Sequence, residues 1–393
     1  MATKPSLALI PSAYKASKVY SILPNNGDGD FTFSRGSEAT RINKDGLIET
    51  VSSNIPRLDY SGGGCPSLLL EPQRTNAFTY SEQFNQSVWF KSDCTITTNQ
   101  IISPDGTLTA DLATSTANNG GVFRFSSWST TEKTVSIFVK KNTSSTVEIF
   151  NATASANRVL FNLDNGTITT QGGTMTGTIE DFGNGWYRLT ATHTAVQLET
   201  LGIKPKINES IYIWGGQIED ASYSSSYIKT EASTVTRLAD NCYGAGNSNL
   251  FDITEGTMYF ELSKNVIEPI NYSGLSLSDS SLSNRIEFRY EPNSNILQAV
   301  VRVSGAAVVV LSYTIADVTQ KHKVAITFKE DDYAFWVNGL KVGIDTSGTV
   351  PTGLRELAFD DGSGANDFYG NVHDARVYDE VLTDAELTEL TTL

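Results

Sequence analysis

Apolar residues along this chain recur with a period of two, in short segments set apart by turn-forming residues. Val135 to Lys140, Thr146 to Asn151, Arg158 to Leu163, Trp186 to Thr192 and Ser210 to Gln217 all alternate or run apolar. Successive side chains of a strand point to opposite faces, so each segment predicts a strand with at least one buried face. Asn142 to Ser145, Asp164-Asn165-Gly166 and Gly183-Asn184-Gly185 supply turns between them. A second series runs through Gly256 to Leu262, Arg285 to Tyr290, Ile296 to Val303, Ala306 to Tyr313, Lys323 to Lys329 and Tyr333 to Val337. Asn338-Gly339 predicts a tight hairpin, with Leu340 to Ile344 returning. Thr383-Asp-Ala-Glu386 is a capping box that opens a short helix with Leu387 and Leu390 on one face. Strands at this spacing predict sandwiches or barrels.

The first 75 residues break the pattern. They hold six of the chain's eleven prolines, at 5, 11, 24, 56, 66 and 72. Proline removes ladder hydrogen bonds, so one compact sheet is not expected there. One hairpin stands out: Glu38 to Asn43 and Leu47 to Ser52 flank Lys44-Asp45-Gly46. The expectation is an all-β chain in four parts. Residues 1–75 form an extended docking arm and residues 76–238 a first sandwich. Residues 239–249 (DNCYGAGNSN within them) form a linker, and residues 250–393 a second sandwich ending in the helix.

Composition agrees. Gly (31), Phe (18) and Tyr (16) are abundant and Met (3) is scarce, which disfavours helical bundles. The net charge is −15, so an affinity for nucleic acid is not expected. The longest aliphatic run, Ala306 to Leu311, is far short of the ~20 residues of a spanning helix, so membrane insertion is not expected. Met1 to Ile10 carries no export signal, which predicts synthesis in a cytoplasm. Cys65, Cys94 and Cys242 are odd in number and widely spaced, giving neither a disulfide framework nor a zinc site.

Three sets of residues carry resemblances. Lys323-Val-Ala-Ile-Thr-Phe, Phe335-Trp-Val-Asn-Gly-Leu-Lys-Val-Gly, Phe368-Tyr-Gly-Asn-Val-His-Asp-Ala-Arg-Val-Tyr-Asp and Leu382-Thr-Asp-Ala-Glu-Leu resemble the laminin-G-like, or concanavalin-A-like, sandwich. Gly185-Trp-Tyr-Arg-Leu, Ile211-Tyr-Ile-Trp-Gly-Gly-Gln-Ile-Glu and Tyr227-Ile-Lys-Thr resemble the jelly roll of carbohydrate-binding modules. Phe31-Thr-Phe-Ser-Arg-Gly-Ser-Glu-Ala-Thr-Arg-Ile-Asn and Pro66-Ser-Leu-Leu-Leu-Glu-Pro-Gln-Arg-Thr-Asn resemble a segment of tailed-bacteriophage virion proteins, where it precedes such modules. This last resemblance implies a fibre, spike or decoration protein located in the virion. Its partners would be other virion proteins and, by analogy with fibres, two further copies in a homotrimer. It would adhere to host surface glycans. The competing readings are a purely architectural virion protein and a glycan depolymerase.

Particular residues stand out as candidates for these roles. Trp128, on a polar loop, is the candidate sugar platform, because pyranose C–H faces stack on aromatic rings. Trp89, Trp186, Trp214 and Trp336 sit in or beside strand patterns and read as core or packing residues. Asp360, Asp361 and Asp367 crowd one loop and form the candidate calcium site, though without EF-hand spacing. Docking would fall to Phe31, Phe33, Arg35, Arg41, Leu68, Leu69, Leu70 and Arg74. No catalytic residue is assigned. The glucanase pattern Glu-x-Asp-x-x-Glu is only begun at Glu330-Asp331-Asp332, with Phe335 where the last Glu belongs. His193, His322 and His373 are too scattered for a metal cluster.

Overall fold

The computed structural model describes residues 3–118, 120–126, 131–154, 156–194, 199–251, 253–265 and 271–393. The chain divides into two compact units. The first comprises residues 1–37, 51–72 and 239–393, the second residues 38–50 and 73–238.

The first unit is built on an eight-stranded antiparallel sheet. Its order is Leu340–Asp345, Asp332–Val337, His322–Lys329, Glu255–Lys264, Gly370–Tyr378, Ser67–Leu70 and Leu58–Asp59, and Leu7–Leu9 also pairs with Gly370–Tyr378. A five-stranded sheet runs Ala306–Thr314, Ile296–Val303, Arg285–Tyr290, Ser273–Ser278 and Glu356–Ala358. Alternation gives each sheet an apolar face, and the two faces share one core: Met258, Phe260, Phe335 and Val377 from the first, Leu277, Phe288 and Leu297 from the second. Asn338 and Gly339 both adopt positive φ, as the hairpin they close requires. Glu330 and Asp331 form the turn between His322–Lys329 and Asp332–Val337. The helix Asp384–Thr391 starts at the expected capping box and buries Leu387. That side chain joins Tyr259, Trp336 and Tyr378 in a second, smaller cluster.

The opening segment is not the extended docking arm its prolines suggested. Leu7 and Leu9 pair with Val377 and Ala375, and Leu68 and Leu70 pair with Val372 and Gly370. Phe31–Ser34 pairs with Asn241–Tyr243, a strand that lies inside the expected linker. Leu7, Leu9, Phe31, Phe33, Leu68 and Leu70 all lie in the first unit's core. Burying six such side chains contributes on the order of 10 kcal/mol, comparable with a domain's whole net stability. The prolines permit this because they fall outside the strands: Pro66 and Pro72 bracket Ser67–Leu70. The rest of the opening segment goes elsewhere. The hairpin of Ala39–Ile42 and Ile48–Val51 turns at Gly46, whose φ is +77°. Ile42 and Ile48 pack with Trp186, Trp214 and Tyr227 of the second unit.

A buried charge network holds the first unit's discontinuous pieces. Arg57 donates from Nη1 to Glu71 Oε2 at 2.5 Å and from Nη2 to Asp240 Oδ2. Arg35 Nη1 reaches Asp240 Oδ1 at 3.0 Å, and Arg35 Nη2 donates to the Ser52 carbonyl at 2.9 Å. Asp240 Oδ2 also accepts the Glu71 backbone N–H at 2.8 Å, while the Asp240 N–H donates to the Glu71 carbonyl at 3.0 Å. All four side chains are essentially inaccessible. Burial pulls the Arg57 pKa down, but the charges of Asp240 and Glu71 and their hydrogen bonds outweigh it and raise the pKa, so the guanidinium stays charged.

The second unit contains two six-stranded antiparallel sheets. One runs Phe90–Ser92, Gly121–Ser126, Glu199–Pro205, Thr146–Asn151, Arg158–Asn162 and Thr167–Gly172. The other runs Cys94–Ile101, Ala110–Ser115, Ser210–Glu219, Glu132–Lys141, Trp186–Thr194 and Thr176–Asp181. Their inner faces share a core that includes Val122, Ile149, Phe161, Ile137, Leu189 and Ile213. Trp89, Trp186 and Trp214 are buried.

Deleting residues 1–75 should leave an insoluble or unfolded product, because the deletion strips strands from the eight-stranded sheet; expression and sedimentation check it. Asp240→Ala leaves two buried guanidinium groups without their shared carboxylate. It should destabilise the first unit by about 3–5 kcal/mol in denaturant unfolding.

Candidate functional site

In the first unit a pocket of about 450 Å³ opens beside two short strands. The strands Asn241–Tyr243 and Glu356–Ala358 are tied by flanking backbone bonds: Phe359 N–H to the Cys242 carbonyl at 2.9 Å and Leu357 N–H to the Ala245 carbonyl at 2.8 Å. Asn241, Tyr243, Glu356, Asp360, Gly362 and Asp367 are among the residues that line the opening. Tyr243 is 39% exposed. Its strand partner, Phe31–Ser34, brings Ser34 to the same wall. Ser280 adds a hydroxyl, which donates to Glu356 Oε2 at 2.5 Å.

The three aspartates of the predicted calcium loop divide in role. Asp360 Oδ1 accepts the Gly362 N–H at 2.6 Å, and Asp367 Oδ2 accepts the Tyr369 hydroxyl at 3.0 Å. Both line the pocket. Asp361 belongs to the turn instead: Oδ1 takes the Ser363 N–H and hydroxyl, and Oδ2 takes the Asn366 amide at 2.8 Å. Burial raises the Asp360 pKa, with Glu356 and Asp361 adding repulsion. Burial also lifts Asp367, to about 6; the Tyr369 bond opposes this, and Asp360 and Asp361 reinforce it. For Asp361 burial acts upward too, but the bonds from Ser363 and Asn366 outweigh it and the pKa falls. Calcium takes six to eight oxygens at one point. Among the described residues no three His, Cys, Asp or Glu side chains gather in a group that could hold a metal. What the loop and its neighbours offer is a set of carboxylates, an amide, hydroxyls and an aromatic ring around one opening. Those groups suit a polyol, whose paired hydroxyls need acceptors and donors and whose C–H face needs an apolar surface.

The remaining candidates lie elsewhere. Trp128 falls outside the described residues. Phe31 stacks on Phe359 with centroids 5.0 Å apart, Phe33 is buried under the Arg35 guanidinium, and Leu69 is buried beside Leu68 and Leu70. Arg41 pairs with Glu49 across its hairpin at 2.9 Å. Arg74 donates to the Tyr223 hydroxyl at 3.3 Å and sits over its ring. Phe31, Phe33, Arg35, Leu68, Leu69 and Leu70 are therefore buried within their own chain, which corrects the docking role expected of them, while Arg41 and Arg74 are half-buried. His322 is buried, with Nε2 2.6 Å from the Tyr290 hydroxyl and Nδ1 2.9 Å from the Gln320 carbonyl, a structural pairing. Ser34, Asn241, Tyr243 and Glu356 were missed by sequence reasoning. They come from stretches read as arm, linker and second sandwich, and only strand pairing between residues distant in the chain, such as Phe33 with Cys242, assembles them.

Comparison with known proteins places part of the first unit. Residues 267–388 match the family model Laminin_G_3, described as the concanavalin A-like lectin/glucanases superfamily. No curated protein sequence matches the chain. Among solved structures, the chain is similar to the CBM40 domain of a Ruminococcus gnavus IT-sialidase bound to α2,3-sialyllactose. Identity there is 18% over 37% of this chain and 86% of that one, with a TM-score of 0.32. Domain 4 of AbnA, a GH43 extracellular arabinanase from Geobacillus stearothermophilus, in complex with arabinotriose, shows 14% identity over 44% and 84%, with a TM-score of 0.32. Domains LG4-5 of the mouse laminin α1 chain show 11% identity over 66% and 86%, with a TM-score of 0.25.

Because the Asp367 pKa is raised, its contribution to stability is fully present below the unfolded value of 3.8 and is lost as pH rises through about 6. Asp367→Asn should therefore flatten the pH dependence of the first unit's melting temperature between about pH 4 and 7, without lowering it at neutral pH. Thermal unfolding across that range checks the prediction.

Proposed function

We propose that this chain is a glycan-adhesion protein carried on a tailed-phage particle, with the pocket beside Asp360 and Asp367 as a sugar-binding site. The observation that carries the reading is the make-up of that pocket: Asp360, Asp367 and Glu356 as acceptors, Asn241 and Ser280 as neutral polar groups, and Tyr243 as an exposed ring. The match of residues 267–388 to the concanavalin A-like lectin/glucanases superfamily supports it. The virion location rests on the resemblance of residues 31–43 and 66–76 to phage virion proteins. In this reading the chain is made in the host cytoplasm, and its partners are other virion proteins and further copies of itself. Attachment to the particle falls to surfaces other than the buried opening segment. Binding at each pocket is weak and gains strength from many copies on one particle.

The test is a glycan array with the full chain, followed by calorimetry on the best ligand. Tyr243→Ala and Asp367→Ala should each weaken binding by about 1–3 kcal/mol, roughly 5- to 150-fold. An antibody against the chain should decorate purified particles. If the array is blank and Tyr243→Ala instead blocks incorporation into particles, the pocket serves assembly and not adhesion.

A further inference from the structure

The pocket beside Asp367 is charged with one sign. Glu356, Asp360 and Asp367 line it, and among the described residues its lining includes no Lys, Arg or His. Its other side chains, Ser34, Asn241, Tyr243 and Ser280 among them, carry no charge. The cations on the surrounding elements serve other groups. Lys18, whose strand pairs with Phe31–Ser34, donates to the Thr32 hydroxyl at 2.8 Å. Arg355 donates from Nε to the Ser280 hydroxyl at 3.3 Å. Neither side chain lines the opening.

Within this set Asp367 is placed to change its charge. It is half-buried, while Asp360 and Asp361 of the same loop are buried. Burial pushes the Asp367 carboxyl up to about 6; the Tyr369 hydroxyl opposes this, and the charges of Asp360 and Asp361 add to it. The other groups packed on Asp367 are neutral. The Ser273 hydroxyl donates to its backbone carbonyl at 3.0 Å, and its backbone bridges to Gly274 on the strand Ser273–Ser278. Across the opening stand Asn241 and Tyr243 from one short strand and the carboxylate of Glu356 from the other.

We propose that an uncharged glycan and a proton bind this pocket together, the proton on Asp367, so that the ligand is held more tightly in mild acid than at neutral pH. The inference rests on the reading of the pocket as a sugar site. A ligand that fills the opening displaces water from three carboxylates. Its hydroxyls take over the hydrogen bonds that water made, so that exchange nearly cancels. The loss of bulk dielectric does not cancel. It strengthens the repulsion among Asp360, Asp361 and Asp367 and penalises the charged form of each. An uncharged ligand brings no cation to relieve this, and the lining supplies none, so a proton does. The coupling is reciprocal: acid raises the affinity for the ligand by the same factor by which the ligand raises the affinity for the proton.

The experiment is calorimetry of the full chain with the uncharged glycan that binds most tightly on the array. Affinity should be about fivefold or more higher at about pH 5.5 than at about pH 8. Buffers of different ionisation enthalpy should show proton uptake on binding between those limits. Asp367→Asn, whatever its affinity, should lose most of this pH dependence. Tyr369→Phe removes a hydrogen bond that favours the charged carboxylate and should move the rise in affinity to higher pH. A merely structural role for Tyr369 would change the affinity without moving the rise. If the glycan binds equally at both pH values, or more tightly at the higher one, the proton coupling is overturned and the sugar site stands. A full rise that persists in Asp367→Asn overturns it as well. Binding of no glycan at either pH overturns the sugar-site reading itself, and the coupling with it.

Discussion

Asp240 is the point on which the first unit depends. It is a buried carboxylate that answers two buried guanidinium groups, one from Arg35 and one from Arg57, while Glu71 completes the balance of charge. Removing charges from water is expensive, and the attraction between them compensates only when geometry is good and the lone pairs are engaged. Both oxygens of Asp240 are bonded, one to Arg35, the other to Arg57 and the Glu71 amide. Such a network tolerates little displacement. It therefore sets the register in which three separate stretches of chain come together, residues 1–37, 51–72 and 239–393. The strands beside Arg57 and Glu71 then complete the eight-stranded sheet, and Asn241–Tyr243 beside Asp240 becomes a wall of the pocket.

Much of the fold was legible because its signals are local. The Asn338-Gly339 turn, the Gly46 turn, the Thr383 capping box and the alternating strands each depend on residues within a few positions of one another. The fate of the opening segment was not legible, for a physical reason. Leu68 pairs with Val372 and Leu7 with Val377, and no local pattern announces a partner at the far end of the chain. Proline density pointed away from a sheet, yet Pro66 and Pro72 merely bound a four-residue strand. Asp240 stands at the edge of a stretch of Asn, Gly and Ser that reads as solvated loop, and a charged residue there gives no hint of being buried.

The same limit shaped the reading of the sites. Asp360 and Asp367 were visible as a crowded loop, but spacing alone does not reveal which of its carboxylates line an opening and which close a turn. The fold sends Asp361 into its own turn and leaves the other two beside Tyr243 and Asn241. The opening segment changes meaning as well. Its resemblance to virion proteins remains a statement about sequence, while its mechanical part is to frame a sandwich and so to present a pocket.

Hydrogen–deuterium exchange on the full chain tests the central role of Asp240 most directly, because opening free energies report which strands unfold together. The amides of Leu68–Leu70 and Leu7–Leu9 should exchange with the same high protection as those of Gly370–Tyr378, in one cooperative unit. Rapid exchange of the two early strands while Gly370–Tyr378 stays protected would show that the opening segment is a detachable arm. It would contradict the claim that Asp240 and its partners fix that segment in the sheet.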